Sequence, residues 1–170
     1  MIIVQLNKEI ISSNSSEAIN LFKKSYFGEK VEDKIQYTLA ETLYLVETKK
    51  AKVFFNKKEL TKKELEEKLI RLDKKFHLKY LVYRDLRKQG YVVKTGLKFG
   101  ADFRVYEKGK TPDNSHAKWL VFVEHETNKN SWQEFSSKNR VAHSTKKKLL
   151  IAIVDEEGDV LYFEINWIKP

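Results

Sequence analysis

No cysteine occurs in the chain, and only two prolines and six glycines are spread over its 170 residues. Without thiols there is no disulfide framework and no thiolate metal site, so small secreted scaffolds and zinc ribbons are excluded. So little proline and glycine, beside 41 % apolar residues, points to folded structure throughout and not to a linker-rich chain. No apolar run approaches the roughly 18 residues that suggest a membrane span. The opening Met1-Ile-Ile-Val-Gln-Leu6 is too short for a signal-peptide core and has no basic segment before it. A soluble, cytoplasmic protein with no membrane partner is expected.

What is abundant is positive charge: 33 Lys and Arg stand against 24 Asp and Glu, a net +9. That balance favours a polyanionic partner such as nucleic acid. A Lys- and Glu-rich solvated surface, common in heat-adapted proteins, reads the same way. The length suits one large domain or two small ones.

The pattern along the chain is that of a mixed α/β (α+β) protein. Residues 2–6 and 9–12 read as a hairpin around Asn7-Lys8. The serines from Ser12 to Ser16 offer a cap for a helix through Ala18, Ile19, Leu21 and Phe22, with Gly28 as its stop. Ile35, Leu39, Leu43 and Leu45 mark a second helix from Glu32 to about Lys49, followed by a strand at 52–55. Thr61 with Glu64 is a capping box before Leu65, Leu69 and Leu72. Residues 77–86 are helical, with Gly90 at their end, and a boundary near 72–76 divides an N-terminal α/β domain (1–74) from a C-terminal mixed-sheet domain (75–170).

Beyond Gly90 the texture turns to strands: 91–93, 98–106 and 119–123. A second capping box, Ser131 with Glu134, opens a helix through Trp132 and Phe135. Strands at 148–154 and 160–168 follow, joined by the acidic turn Asp155-Glu-Glu-Gly-Asp159. Helices packed on a mixed sheet are the expected result.

Three residues in this half carry chemistry. Tyr106 ends a strand, His116 stands before the next strand, and Lys147 stands before a third. Cleaving RNA by internal attack requires a group that takes the 2′-hydroxyl proton, one that protonates the leaving 5′-oxygen, and a positive charge on the phosphorane. Histidine is the natural acid, with an unperturbed pKa of about 6.5. Lysine supplies fixed charge. Tyrosine, unperturbed near a pKa of about 10, acts as a base only where a cation such as Lys147 favours its phenolate.

The runs Lys98-Phe-Gly-Ala-Asp-Phe-Arg-Val-Tyr106, His116-Ala-Lys-Trp-Leu-Val121, Arg140-Val-Ala-His-Ser-Thr-Lys-Lys-Lys148 and Ala152-Ile-Val-Asp-Glu-Glu-Gly-Asp159 closely resemble the archaeal tRNA-splicing endonuclease. Weaker similarity extends through Ser25-Tyr-Phe-Gly28 and Thr38-Leu-Ala-Glu-Thr-Leu-Tyr-Leu45. The resemblance implies a restriction-endonuclease-like catalytic domain that needs no cofactor, with Tyr106, His116 and Lys147 as its triad. It implies that Arg140 grips a flipped base of the RNA bulge, with Trp167 in the partner position. Lys146 and Lys148 would meet phosphates. The acidic turn, through Asp155, Glu156, Glu157 and Asp159, would insert into a basic pocket of another subunit. The implied substrate is precursor tRNA bearing a bulge-helix-bulge motif. The assembly would be a homotetramer, or a heterotetramer with a related subunit.

Two other readings of the same residues stand. Asp102, Glu124 and Glu126, near His125, are a candidate Mg²⁺ set for a metal-dependent nuclease. Alternatively, the chain is a non-catalytic RNA-binding subunit of the same assembly.

Overall fold

The computed structural model describes residues 1–7 and 9–168. It divides into two units, Met1–His77 and Leu78–Pro170. Lys8, one of the two expected hairpin-turn residues, lies outside the described residues.

The first unit runs β1 (Ile2–Asn7), β2 (Ile10–Ser13), α1 (Ser16–Ser25), β3 (Glu29–Val31), β4 (Lys34–Tyr37), α2 (Leu39–Glu47), β5 (Ala51–Phe55), β6 (Lys58–Glu59) and α3 (Lys62–Leu72). Its sheet is mixed, in the order β3-β4-β2-β1-β5-β6, with β1 and β5 parallel. Strand periodicity sends Ile2, Val4 and Leu6 inward and Ile3, Gln5 and Asn7 outward.

Two expectations fail here for physical reasons. The helix expected from Glu32 begins only at Leu39, because β3 and β4 form a hairpin that uses Ile35 and Tyr37 as alternating buried strand residues. Thr38 and Glu41 then start α2 with a capping box, and the buried Glu41 carboxylate also accepts from the Gly28 amide at 2.8 Å. Nor is Gly28 the stop of α1. Tyr26 closes that helix in the left-handed region at φ 57°, its amide donating to the Phe22 carbonyl. Gly28, at φ +76°, instead lets the backbone pass Ile35, whose Cγ2 would lie 2.4 Å from a Cβ placed there.

The second unit contains α4 (Phe76–Lys88, from Leu78 onward), β7 (Val92–Thr95), β8 (Phe103–Tyr106), β9 (Trp119–His125), α5 (Trp132–Ser144), β10 (Lys148–Val154) and β11 (Val160–Ile165). The sheet order is β11-β10-β9-β8-β7, with β9 and β10 parallel and the other neighbours antiparallel. On one face α5 packs through Val141 and Ala142 against Leu120, Phe122, Leu149 and Ile151. Burying each such leucine contributes about 1.5–3 kcal/mol. On the other face α4 packs Tyr83 on Phe103 and bonds Asp85 to the Tyr162 hydroxyl at 2.8 Å.

The single strand expected over 98–106 is broken. Residues Leu97–Phe99 make a 3₁₀ turn, and Gly100 follows in the left-handed region. Gly96 makes this possible, since a Cβ there would meet Ala101 and Phe103 backbone at 2.9 Å. The last strand ends at Ile165, three residues short of the expected 168.

Candidate active site

Sheet register gathers the three chemistry-bearing residues. Val105 pairs with Trp119, and Trp119 pairs with Lys148, so the end of β8 and the starts of β9 and β10 lie at one edge. Two backbone bonds extend that edge beyond the strands: the Lys118 amide donates to Val105 and the Lys148 amide to Lys118, each at 2.9 Å. Tyr106 follows Val105, His116 precedes Lys118 by two residues, and Lys147 immediately precedes Lys148. The parallel β9–β10 pair is decisive, because it sets both strand starts on the side where antiparallel β8 ends.

Each of the three has a different setting. Tyr106 is 3 % exposed, with Val92 beside it on β7. His116 is exposed, in a loop whose ends are joined by the Lys118–Glu107 ion pair. Within that loop the Thr111 amide donates to Asn114 Oδ1 at 2.9 Å and the Ser115 amide to the Thr111 carbonyl at 3.0 Å. Lys147 is half-buried; its ammonium donates to the Thr145 carbonyl at 2.8 Å and sits 4.9 Å from the Phe99 ring centroid. Burial, then the positive charges of Lys98 and Arg104, push the Lys147 ammonium below its usual pKa.

Lys98, Phe99 and Arg104 were not singled out as site residues from the sequence. Arg104 is two residues before Tyr106 and therefore on the same strand face. The glycines Gly96 and Gly100 around Leu97–Phe99 were the available signal for the turn that carries Lys98 and Phe99.

Beside this edge, Asn139, His143, Ser144, Lys146, Lys147, Lys148, Ile165, Asn166 and Trp167 line a concavity of about 570 Å³. Trp167 packs edge-on against His143, ring centroids 4.2 Å apart, and remains 58 % exposed. Arg140 is exposed one helical turn before His143, on the same side of α5. Lys146 is exposed with φ 56°, and Lys148 pairs with Glu164, which also accepts from the Trp119 indole.

The candidate Mg²⁺ set is not assembled. Asp102 faces Lys79 and the Val123 amide, at 3.2 and 2.8 Å. Glu124 pairs with Lys138 at 2.6 Å, and Glu126 accepts from the Glu156 amide at 3.0 Å. The three carboxylates thus point towards α4, α5 and the acidic turn. Among the described residues, three carboxylates converge only in that turn, at Asp155, Glu157 and Asp159. There Asp155 Oδ1 accepts from the Glu157 and Asp159 amides, so it braces the turn while Glu156 and Glu157 stay exposed. Among the described residues no helix is long and apolar enough to cross a membrane.

Residues 76–162 match the family described as tRNA intron endonuclease, catalytic C-terminal domain, and residues 1–66 match its N-terminal domain. The chain is 43 % identical over 170 residues to a tRNA-splicing endonuclease of Thermococcus kodakarensis, covering 99 % of both chains. It is 41 % identical over 167 residues to the protein so named in Methanothermobacter thermautotrophicus, covering 98 % of this chain and 97 % of the other. With that of Nanoarchaeum equitans it shares 40 % over 152 residues, 85 % of this chain and 97 % of the relative.

Proposed function

The chain belongs to the tRNA intron endonuclease family and is a tRNA-splicing endonuclease, and on that premise we propose that Tyr106, His116 and Lys147 cut the RNA without a metal ion. The observation that carries this reading is their common place at one sheet edge, beside the concavity lined by Lys146, Lys147, Lys148 and Trp167.

Tyr106, as the phenolate that the nearby cation favours, takes the proton of the 2′-hydroxyl and becomes the neutral phenol, and the freed oxygen attacks the adjacent phosphorus. Lys147 faces the non-bridging oxygens as their charge grows. His116, in its imidazolium form, gives its proton to the departing 5′-oxygen. The P–O5′ bond breaks as the 2′-O–P bond forms, leaving a 2′,3′-cyclic phosphate and a 5′-hydroxyl.

Substrate choice follows from the same edge. Base edges in paired RNA lie in a groove too deep and narrow for side chains, so shape and extruded bases are what a protein reads. Arg140 and Trp167 hold a bulge base between a guanidinium and an indole, and Lys146 and Lys148 lie against phosphates. Glu156 and Glu157 are free to meet a basic surface of another subunit, and a bulge-helix-bulge motif with two cut sites requires two active sites in one assembly.

The test is incubation of the purified chain with a bulge-helix-bulge RNA in excess EDTA, followed by analysis of the new ends. Cyclic phosphate and 5′-hydroxyl ends are expected. Cleavage that appears only on adding Mg²⁺, or that leaves a 3′-hydroxyl, overturns the mechanism.

A further inference from the structure

The 3₁₀ turn Leu97–Phe99 sets a second cation beside Lys147. The Phe99 ring has the Lys98 ammonium 5.0 Å from its centroid and the Lys147 ammonium 4.9 Å from it. Those radii limit the separation of the two charges to about 10 Å, with the ring as the contact they share. Neither lysine has a carboxylate partner among the described residues, although the chain has 24 acids and ion pairs elsewhere hold Lys79, Lys118, Lys138 and Lys148. Two unneutralised ammoniums on one ring form a place where an anion is missing.

The backbone of this turn is closely determined. The Phe99 and Ala101 amides both donate to the Gly96 carbonyl, at 2.8 and 3.2 Å, and the Gly96 amide donates to Asp102 at 3.2 Å. Gly96 approaches Ala101 and Phe103 so closely that no side chain fits there. Phe99 also packs against the cluster formed by Ala101, Leu120, Phe122, Ala142 and Leu149, which anchors the ring from below. Lys98 itself is exposed, so it can exchange water for a phosphate at little desolvation cost.

We propose that Lys98 is a second phosphate-binding residue of the site, contacting a phosphate next to the scissile one, and that Phe99 is the positioning residue that holds the Lys98 and Lys147 ammoniums apart. This rests on the reading of Lys147 as the charge facing the scissile phosphate. The depressed pKa of Lys147, with Lys98 among its causes, agrees with a cation pair awaiting an anion.

The experiment compares the full chain with Lys98→Ala, Lys98→Arg and Phe99→Leu, using a bulge-helix-bulge RNA with 2′-deoxy substitutions at the cut sites. Affinity is measured across a KCl series, and single-turnover cleavage is measured on the ordinary RNA. Lys98→Ala is expected to flatten the plot of log affinity against log salt by about one unit of slope, with Lys98→Arg restoring it. At RNA concentrations below saturation its cleavage should fall in step with the lost affinity, and Lys98→Arg should restore both. Phe99→Leu is expected to slow cleavage at saturating RNA while its melting temperature shows it folded.

An unchanged salt slope for Lys98→Ala, with the wild type cleaving normally, overturns the proposal. A loss of assembly mass with unchanged slope also overturns it, and assigns Lys98 to a protein contact such as the acidic turn of another copy. If instead the wild type fails to cleave in EDTA, the proposed triad falls, while the slope comparison still reports whether Lys98 meets a phosphate.

Discussion

Replacing Lys147 by methionine separates a catalytic lysine from a structural one. Among the described residues the ammonium donates to the Thr145 carbonyl and makes a ring contact with Phe99. A hydrogen bond from a charged group contributes about 1.5–3 kcal/mol and a partly exposed cation–π contact about 0.5–1 kcal/mol. Against these stand burial and the like charges of Lys98 and Arg104, which together hold the pKa below its usual value. A lowered lysine pKa means that the folded surroundings, taken as a whole, disfavour the charge. Methionine keeps the apolar stem without the charge, so Lys147→Met is expected to cost no stability at pH 7, its melting temperature matching or exceeding that of the wild type.

The sign with pH follows. Where the folded pKa lies below the unfolded one, the unfolded chain holds more protons, and stability rises with pH. The wild type should therefore gain on Lys147→Met as pH climbs towards the free lysine pKa of about 10.4, and the advantage of the variant should shrink. Single-turnover cleavage should meanwhile fall about 10²–10³-fold, or about 2.7–4 kcal/mol of transition-state stabilisation. Thermal melts between pH 7 and 10, with cleavage at saturating RNA, test both halves. A destabilisation above about 2 kcal/mol at pH 7, or a rate within tenfold of wild type, would refute the reasoning.

Three further outcomes are expected. His116→Ala should lower cleavage by about 10²–10⁴-fold with RNA affinity changed by less than about threefold, as read by filter binding; a large loss of affinity would make it a binding residue. Glu156→Lys with Glu157→Lys should reduce the molar mass seen by light scattering, because these two side chains are exposed while Asp155 braces the turn; an unchanged mass removes them from the interface. Glu41→Ala should destabilise the first unit by about 2–4 kcal/mol, since the buried carboxylate accepts from the Gly28 amide, the Thr38 amide and the Thr38 hydroxyl; urea unfolding that shows less than about 1 kcal/mol would make the network dispensable.

Local chemistry was legible wherever one side chain bonds its own backbone neighbours. Thr61 with Glu64 and Ser131 with Glu134 cap α3 and α5 as their spacing predicts, because a capping box closes within four residues. The unbroken apolar run at 149–154 likewise announced β10, a strand buried or half-buried along its whole length. The sequence also determined the absence of thiol chemistry, the excess of positive charge, and the identities and order of Tyr106, His116 and Lys147.

Where a segment's structure depends on a partner far along the chain, local reading failed. Ile35 has helical spacing from Leu39, yet Ile11 and Ser13 of β2 draw residues 34–37 into the sheet. Residues 97–100 share the apolar texture of β8, yet the close approach of Gly96 to Ala101 and Phe103 folds them into a turn. Asp102, Glu124 and Glu126 look like a metal set by residue type, and only the packing of α4, α5 and the acidic turn sends them apart. The tertiary structure alone decided that β9 and β10 run parallel, and so that residues 106, 116 and 147 meet at one edge. Strand direction is a property of the pairing of distant segments, and nothing within either segment records it.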